Sequence, residues 1–308
     1  MAFPCRQEIW SNGLEKAQLA FSEVANVISE SEPLSMLVHP KHFGFAKKKL
    51  SSQISLIEFA CDDSWTRDTA PIWIFENDKR VALDFQFNAW GEKFSPYEND
   101  QKIARQIIEN TNDDYQSIPM ILEGGAVHSN GAGKLLTTKE CLLNPNRNPQ
   151  LSQLEIEAKL KDSLGVDEII WLSKGVAGDV DTDGHIDNIA CFVSENIILS
   201  QKCSEKSENF AIYNENRDII RDHGIELVEI EEPEARYTGE LREPLSYINF
   251  YIANDLVVVP KFGCKQDAQA KATIAELFPS RKVVDVEANE ILVGGGGIHC
   301  ITMQQPEV

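Results

Sequence analysis

Residues 13–38 read GLEKAQLAFSEVANVISESEPLSMLV, and the order of elements in this stretch decides the fold class. In residues 13–30 the apolar side chains recur at helical spacing, which predicts an amphipathic helix; they are Leu14, Leu19, Phe21, Val24, Val27 and Ile28. A short apolar run at 35–38 follows, bounded by turn residues, as is typical of a β-strand. A helix is thus followed directly by a strand.

The same alternation continues through the rest of the chain. Helices are predicted at 100–111, 151–163 and 266–277, and strands at 54–59, 72–75, 81–87, 168–172, 189–193, 197–200, 227–230, 256–260 and 283–287. Alternating strands and helices predict an α/β protein rather than separate α and β regions. No low-complexity linker divides residues 1–308, so we expect one domain, and spacing of roughly sixty residues per unit would permit a degenerate repeat.

Composition limits the partners of the protein. The 308 residues carry a formal charge of −20, which disfavours a nucleic-acid partner and suits a small cationic molecule. No run of about 18 apolar residues predicts a membrane span, and the N-terminal residues lack the features of a secretory signal. Seven scattered cysteines without a CxxC pair fit reduced thiols in a cytoplasmic protein.

The most conspicuous cysteine is Cys300, which follows the run Gly294-Gly295-Gly296-Gly297-Ile298-His299. Consecutive glycines weaken regular structure but let the backbone approach a ligand closely, so Gly296 is a candidate substrate contact and Cys300 a candidate nucleophile. The alternative is a glycine-rich turn with a merely buried thiol. If residues 298–301 are extended, His299 points away from the thiol.

The segment 178–188, GDVDTDGHIDN, is the second candidate. In an extended chain His185 and Asp187 project to one face, and a carboxylate beside an imidazole suits a proton donor and acceptor. The alternative for His185 is a core histidine with satisfied hydrogen bonds. The aspartate ladder that includes Asp181 superficially resembles an EF-hand loop, but the terminal Glu is missing, so we expect no metal ion.

Two further acidic segments complete the set. Residues 62–71 read DDSWTRDTAP and contain Asp62, Trp65 and Asp68; ion pairs in a polar turn are the alternative. Glu123 ends an apolar run beside two glycines, and a strand-end Glu is its alternative. Together the carboxylates could hold a planar guanidinium by paired hydrogen bonds. A thiolate held close could attack its central carbon, with His185 moving protons, and neither metal nor cofactor is needed.

Ordered blocks over most of the chain now make a resemblance recognisable. They are DSWTRDTAP (63–71), FNAWG (87–91), LEGG (122–125), LLTTKECLLNPNRNP (135–149), DTDGHIDN (181–188), SYINFYIAN (246–254) and GGGGIHCIT (294–302). The sequence resembles agmatine deiminases, within the guanidine-modifying superfamily that includes peptidyl-arginine deiminases. Gly297 stands where that family usually has Asn, and Ala70 where it usually has Gly.

The resemblance implies an α/β fold of the pentein type, a five-bladed pseudosymmetric propeller, here with a shortened first unit because the chain begins inside the expected first strand. It implies that agmatine is hydrolysed to N-carbamoylputrescine and ammonia through a covalent thiouronium. Carried over by position, the catalytic residues would be Cys300, His185, Asp187, Glu123 and Asp68. Asp187 would pair with His185, Trp65 would flank the alkyl chain, and Asp181 would approach the distal ammonium.

Three other functions stay open at this stage. A peptidyl-arginine deiminase is disfavoured by the acidic Asp181 and the missing secretion signal. An amidinotransferase would share the covalent intermediate but pass it to an amine. A non-catalytic binding module with this architecture would not need the thiol, His185 and the three carboxylates. A homo-oligomer is expected from the resemblance alone.

Overall fold

The computed structural model describes residues 1–307 and confirms a mixed α/β architecture. The strands are β1 (Ser35–Val38), β2 (Ser55–Glu58), β3 (Ile72–Glu76), β4 (Lys79–Gln86), β5 (Asp114–Ile121), β6 (Val127–Ser129), β7 (Lys134–Thr138), β8 (Glu168–Leu172), β9 (Ala190–Ser194), β10 (Ile197–Lys202), β11 (Glu226–Glu231), β12 (Tyr237–Thr238), β13 (Leu241–Arg242), β14 (Tyr251–Ile252), β15 (Leu256–Lys261) and β16 (Lys282–Glu287).

Helices lie between many of these strands. They are α1 (Leu14–Ser29), α2 (Phe43–Lys49), α3 (Thr66–Thr69), α4 (Ala89–Glu92), α5 (Ile103–Glu109), α6 (Lys139–Leu142), α7 (Gln153–Leu164), α8 (Phe210–Asp222), α9 (Asp267–Leu277) and α10 (Asn289–Leu292), with 3₁₀ turns at Gln7–Ile9, Pro40–His42, Asp100–Lys102, Gly124–Ala126 and Ile186–Asn188.

Four three-stranded sheets share one topology: β3-β4-β5, β6-β7-β8, β9-β10-β11 and β14-β15-β16. In each sheet the first two strands are antiparallel and the third is parallel to the second. Helices α5, α7, α8 and α9 provide the crossovers, because parallel neighbours need a long connection. β1 and β2 form a parallel pair connected through α2. A single β-bridge between Ala2 and Leu37 extends this pair.

The β1-β2 sheet therefore has one strand fewer than each of the four three-stranded sheets, and β12 and β13 form a separate two-stranded sheet. The arrangement of the five units as blades around one axis stays a prediction, as does the single catalytic domain over residues 1–308. Among residues 1–307, no helix combines the length and apolar character that crossing a bilayer requires.

Helix α7 shows how local sequence sets the bounds of a crossover. Ser152 caps its first turn by accepting a hydrogen bond from the amide of Glu155, and the Glu155 carboxylate accepts from the amide of Ser152. This reciprocal capping box satisfies two amide groups that have no partner within the helix. Gly165 ends the helix in the left-handed region at φ 65°, where glycine carries no steric penalty.

The largest apolar cluster packs α1 against β15 and β16 and extends to the glycine-rich segment near the C-terminus. Ile298 and Ile301 are both fully buried in it, on either side of Cys300. The segment that carries the candidate nucleophile is therefore anchored by its apolar neighbours in the main core.

Two local expectations are wrong. Residues 298–301 form a turn rather than an extended segment, so the alternation that would point His299 away from Cys300 does not apply. Ile186–Asn188 forms a 3₁₀ turn with His185 at its N-cap, so His185 and Asp187 are not successive members of one strand face.

Candidate active site

Cys300 and Asp68 are brought together by backbone contacts between α3 and the glycine-rich segment. The amide of Arg67 donates to the carbonyl of Cys300 at 3.1 Å, and the Thr66 hydroxyl donates to the carbonyl of Ile301 at 2.9 Å. The side chain of Arg67 donates to the carbonyl of His299. Residues more than 230 positions apart in sequence are thereby held in fixed register.

Glu123 and its glycines lie directly against this pair. A Cβ on Gly124 would lie 2.2 Å from the carbonyl oxygen of Arg67, so only glycine allows this backbone approach. A Cβ on Gly125 would lie 2.6 Å from His185 Nδ1, 2.9 Å from Asp68 Oδ1 and 3.1 Å from Asp187 Oδ2. Three of the predicted catalytic side chains therefore surround a single glycine.

Asp68, Glu123, His185, Asp187 and Cys300 converge in one buried cluster, each at most 7% exposed. Cys300 Sγ lies 3.5 Å from Asp187 Oδ2, and His185 Nδ1 lies 4.0 Å from Asp68 Oδ1. Glu123 and His185 each place one polar atom within 4.8 Å of the other and of Cys141 Sγ. Apart from His185 and Asp187, these residues are far apart in the sequence, and the fold brings them together.

Three atoms of this cluster have no hydrogen-bond partner among the described residues: Glu123 Oε2, His185 Nε2 and Asp187 Oδ1. Buried polar atoms are nearly always paired, and an unpaired one costs free energy. Two acceptor oxygens and an imidazole nitrogen left unpaired around a thiol are suited to a ligand with several N–H donors.

The other oxygens of the cluster are held by the protein. Trp90 Nε1 donates to Asp68 Oδ2 at 2.9 Å, and the Gly125 amide donates to Asp68 Oδ1 at 2.8 Å. Arg147, fully buried, donates from Nε to Glu123 Oε1 at 2.6 Å. These bonds fix the carboxylates and leave their free faces toward the cluster.

Asp187 pairs with His299 instead of the expected His185. His299 Nδ1 lies 2.8 Å from Asp187 Oδ2. Burial and the charge of Arg67 lower the pKa of His299 to about 4, so this imidazole is neutral near pH 7 and donates from Nδ1. Burial alone would raise the pKa of Asp187, but the bond from His299 and nearby positive charge, including that of Arg67, together outweigh burial and lower that pKa.

For Asp68 and Cys300, unlike Asp187, burial is not outweighed by other effects and raises the pKa. It raises the pKa of Asp68 to about 6, with the charges of Asp187 and Glu123 acting in the same direction. It also raises the pKa of the Cys300 thiol well above its usual value, reinforced by the charges of Asp187 and Asp68. The thiol is therefore protonated near neutral pH until positive charge enters the cluster.

A narrow pocket of about 30 Å³ leads to Cys300 and contains most of the predicted substrate contacts. Trp65, Asp181 and Gly296 line it together with Asp68 and Cys300. The Trp65 ring packs so closely on the glycine segment that a Cβ on Gly296 would lie 2.5 Å from Trp65 Cζ3. Asp181 Oδ2 would lie equally close, at 2.5 Å, to a Cβ on Gly295.

Asp62 is the predicted contact that the structure places elsewhere. Its carboxylate accepts both the amide and the side-chain Nδ2 of Asn99, at 2.8 Å each, and does not line the pocket. Its neighbour Asp63 lines the pocket instead. Burial raises the pKa of Asp63 to about 7. Lys93 Nζ lies close to Asp181 and donates to its carbonyl oxygen at 3.1 Å, while burial raises the pKa of the Asp181 carboxyl group.

Sequence reasoning also gave no role to several residues around the cluster. Arg147 lies inside the quoted 135–149 block and Asn249 inside 246–254, so the blocks pointed to them without a function. An extended segment at 298–301 predicts no role for His299, whereas the observed turn lets its ring contact Asp187. Trp90, Phe94 and Ile9 add apolar walls to the pocket, and only Trp90 belonged to a quoted block.

Glu123, Cys141 and His185 could in principle share a cation, since their ligand atoms lie within 4.8 Å of one another. The permanently charged guanidinium of Arg147 contacts Glu123 and opposes a divalent ion at that place. The polar groups of the cluster fit a delocalised organic cation better than a metal ion.

Comparisons with known proteins show which family the chain belongs to. Residues 1–306 match the sequence model of the Porphyromonas-type peptidyl-arginine deiminases. The chain belongs to that family. It is 37% identical over 341 residues to the agmatine deiminase of Pseudomonas aeruginosa, a match that covers 99% of this chain and 92% of the relative.

Solved structures extend the likeness. The agmatine deiminase of Enterococcus faecalis superposes with a TM-score of 0.94 at 30% identity, covering all of this chain and 92% of the other. A cysteine-to-serine variant of the C. jejuni agmatine deiminase with substrate bound gives 0.91 at 32% identity, covering 97% and 90%. A dimethylarginine dimethylaminohydrolase, at 14% identity and 0.55, shares the fold alone.

Proposed function

We propose that the protein is an agmatine deiminase, which hydrolyses agmatine to N-carbamoylputrescine and ammonia. The observation that carries the proposal is the set of unpaired buried atoms, Glu123 Oε2, His185 Nε2 and Asp187 Oδ1, beside the Cys300 thiol. A guanidinium supplies the N–H donors that the two oxygens lack, and its positive charge offsets the buried carboxylates.

The shape and charge of the pocket support agmatine as the substrate. Trp65, Trp90 and Phe94 offer apolar walls for a hydrocarbon chain. Asp181 offers negative charge for a distal ammonium, and the ammonium would lower the raised pKa of Asp63 and keep that carboxylate ionised. Arginine would bring a carboxylate to the same place, where two aspartates would repel it. The pocket therefore favours a dication over a zwitterionic amino acid.

The reaction proceeds in two halves. Entry of the guanidinium lowers the thiol pKa, since positive charge near a thiol favours the thiolate. Cys300 Sγ loses its proton and attacks the guanidinium carbon. His185 delivers one proton to the leaving nitrogen, so the proton lost by the thiol is balanced by the proton that the nitrogen gains. The C–N bond breaks, ammonia departs, and an S-alkylthiouronium remains on Cys300.

Water completes the cycle. His185 takes a proton from the attacking water, the new C–O bond forms, and the C–S bond breaks to release the ureido product and regenerate the sulfur. Asp68, Glu123 and Asp187 hold the guanidinium nitrogens throughout, and the charge on the carbon changes within a fixed arrangement of dipoles. Neither half requires an electron acceptor.

A kinetic comparison tests the proposal. Ammonia release is measured with agmatine, arginine and a C-terminal-arginine peptide, using Cys300→Ala as the inactive control. The expected result is turnover of agmatine with a kcat/KM at least about 100-fold above that of arginine, because arginine adds a carboxylate beside the distal ammonium and cancels its charge. Turnover of the peptide without turnover of agmatine would refute the substrate assignment.

An amidinotransferase is separated from a hydrolase by its products. With an added amine acceptor, a hydrolase still gives N-carbamoylputrescine, and a transferase gives a guanidinylated acceptor. We also propose a cytoplasmic location, which suits the free cysteines, and a homo-oligomer, which rests on the resemblance and is tested by light scattering.

A further inference from the structure

The Cys300 thiol poses an electrostatic problem. It is buried, and the carboxylates of Asp187 and Asp68 both act against its ionisation. The substrate guanidinium supplies one compensating charge, but the sulfur also needs a hydrogen-bond donor, since a buried anion without one is strongly disfavoured. His185 is assigned to the leaving nitrogen and cannot serve as a permanent donor to sulfur.

Asn249 provides such a donor. Its Nδ2 lies 3.2 Å from Cys300 Sγ. Asn249 is 2% exposed and immediately precedes Phe250 and β14, at the start of the last three-stranded sheet. It is therefore held on the core side of the sulfur, away from the pocket through which substrate enters.

The orientation of this amide is fixed by its other contacts. Oδ1 accepts a hydrogen bond from the amide of His299 at 2.9 Å. An NH₂ group could not take its place, because it cannot accept a hydrogen bond from this backbone donor. Nδ2 also lies 3.1 Å from Asn188 Oδ1 and 3.4 Å from the Asp187 carbonyl, both acceptors. In a flipped amide, the NH₂ group would face the His299 amide donor, and Oδ1 would face the acceptors of Asn188 and Asp187. Nδ2 must therefore face the sulfur.

The absence of a side chain at Gly297 leaves room for this arrangement. A Cβ there would lie 2.4 Å from Asn249 Oδ1. Asn249 thus contacts the glycine segment, the backbone of His299 and Cys300, and the Asp187 segment at once. Its donor is in place before substrate arrives, and no reorganisation is needed when the sulfur becomes negative.

We propose that Asn249 is a catalytic residue that stabilises the Cys300 thiolate by donating a hydrogen bond from Nδ2 to Sγ. No atom is transferred in this role: the bond shortens when the thiol loses its proton and again when the C–S bond breaks and the thiolate is released. The inference rests on the proposed function only in taking Cys300 as the nucleophile.

Alkylation by iodoacetamide tests the inference without agmatine. The rate of alkylation at Cys300, located by peptide mass spectrometry, is measured against pH for the wild type and Asn249→Leu. The matched control is Asn216→Leu, an equally buried asparagine whose bonds go to Ser173 and Lys174. N249L is expected to alkylate about 10- to 100-fold more slowly near pH 8, the effect of one hydrogen bond to a charged group.

In turnover, N249L should lower kcat by about the same factor and leave KM within about threefold, because the lost bond forms to charge on sulfur and not to substrate. An unchanged alkylation profile in a folded N249L would overturn the inference, and so would an equal loss in N216L. A wild type that alkylates normally but does not turn over agmatine would instead refute the proposed function.

If N249L does not fold, Asn249→Asp takes its place with Asn216→Asp as control, since Asp keeps the Oδ1 acceptor and lacks the donor. The wild type gives an independent measurement. The side-chain NH₂ signals of Asn249 in a ¹⁵N-asparagine sample should shift with the titration of Cys300 and lose that shift in Cys300→Ser. Equal titration in both proteins would overturn the inference.

Discussion

Asp62 and Asp63 are adjacent in sequence, yet their carboxylates have different surroundings. Both carboxylate oxygens of Asp62 accept hydrogen bonds from Asn99. Asp63 accepts a hydrogen bond from the amide of Ser64 and lines the pocket. Sequence chemistry could place an acidic residue of this segment near the substrate, but it could not choose between neighbours. That choice depends on Asn99, which lies 37 positions away.

Asp63→Asn is expected to raise the KM for agmatine about 10-fold, because the distal ammonium loses one of two negative partners. The KM for n-butylguanidine, which lacks that ammonium, should change less than about twofold. Asp62→Asn is the matched control and should leave both values near those of the wild type. Equal effects of the two substitutions on agmatine would contradict the placement of Asp63.

The residues of the cluster could be assembled from sequence because their chemistry is specific and the quoted blocks are many. Which of these side chains contact each other could not be predicted from the sequence. Whether Asp187 contacts His185 or His299 depends on a 3₁₀ turn at Ile186–Asn188 and a turn at 298–301, and neither follows from spacing in an extended chain. The Asn249 amide is likewise placed by tertiary contacts alone.

At the scale of elements, strands with strong apolar runs were predicted to within a residue or two. Ser35–Val38 and Glu168–Leu172 have the expected bounds, and α1 covers Leu14–Ser29. β5 was missed because Asp114–Ile121 is mostly exposed and contains Pro119, which weakens a strand pattern. α8 (Phe210–Asp222) is not among the predicted helices, although its buried residues Tyr213, Asn216 and Ile220 recur at helical spacing.

The glycine segment after α10 acts as an element of the pocket, and Gly296 lies between the Trp65 ring and Cys300. Gly296→Ala is expected to lower kcat/KM for agmatine about 10-fold or more, because the new Cβ would lie 2.5 Å from the Trp65 ring and 3.1 Å from Cys300 Cβ. Gly44→Ala in α2 is the control, since no atom lies within 4 Å of its Cβ position. Steady-state kinetics of a G296A enzyme equal to wild type would show that the pocket does not run past Gly296.

For the whole molecule, the formal charge of −20 creates a long-range attraction for cations. kcat/KM for agmatine should therefore fall several-fold as ionic strength rises from about 0.05 to about 0.5 M, where screening shortens the reach of the field to a few ångströms. The singly charged n-butylguanidine should show a weaker dependence under the same conditions. An equal salt dependence for the two substrates would mean that net charge plays no part in capture.

The proposed reaction depends on a covalent bond between Cys300 and the guanidinium carbon of agmatine. The most direct measurement is rapid acid quenching of the working enzyme with agmatine, followed by intact-protein and peptide mass spectrometry. We predict an adduct whose added mass equals that of agmatine less one ammonia, on the peptide that contains Cys300, and no adduct in Cys300→Ser. An active enzyme that carries the adduct on another cysteine, or turns over in the C300S form, would contradict it.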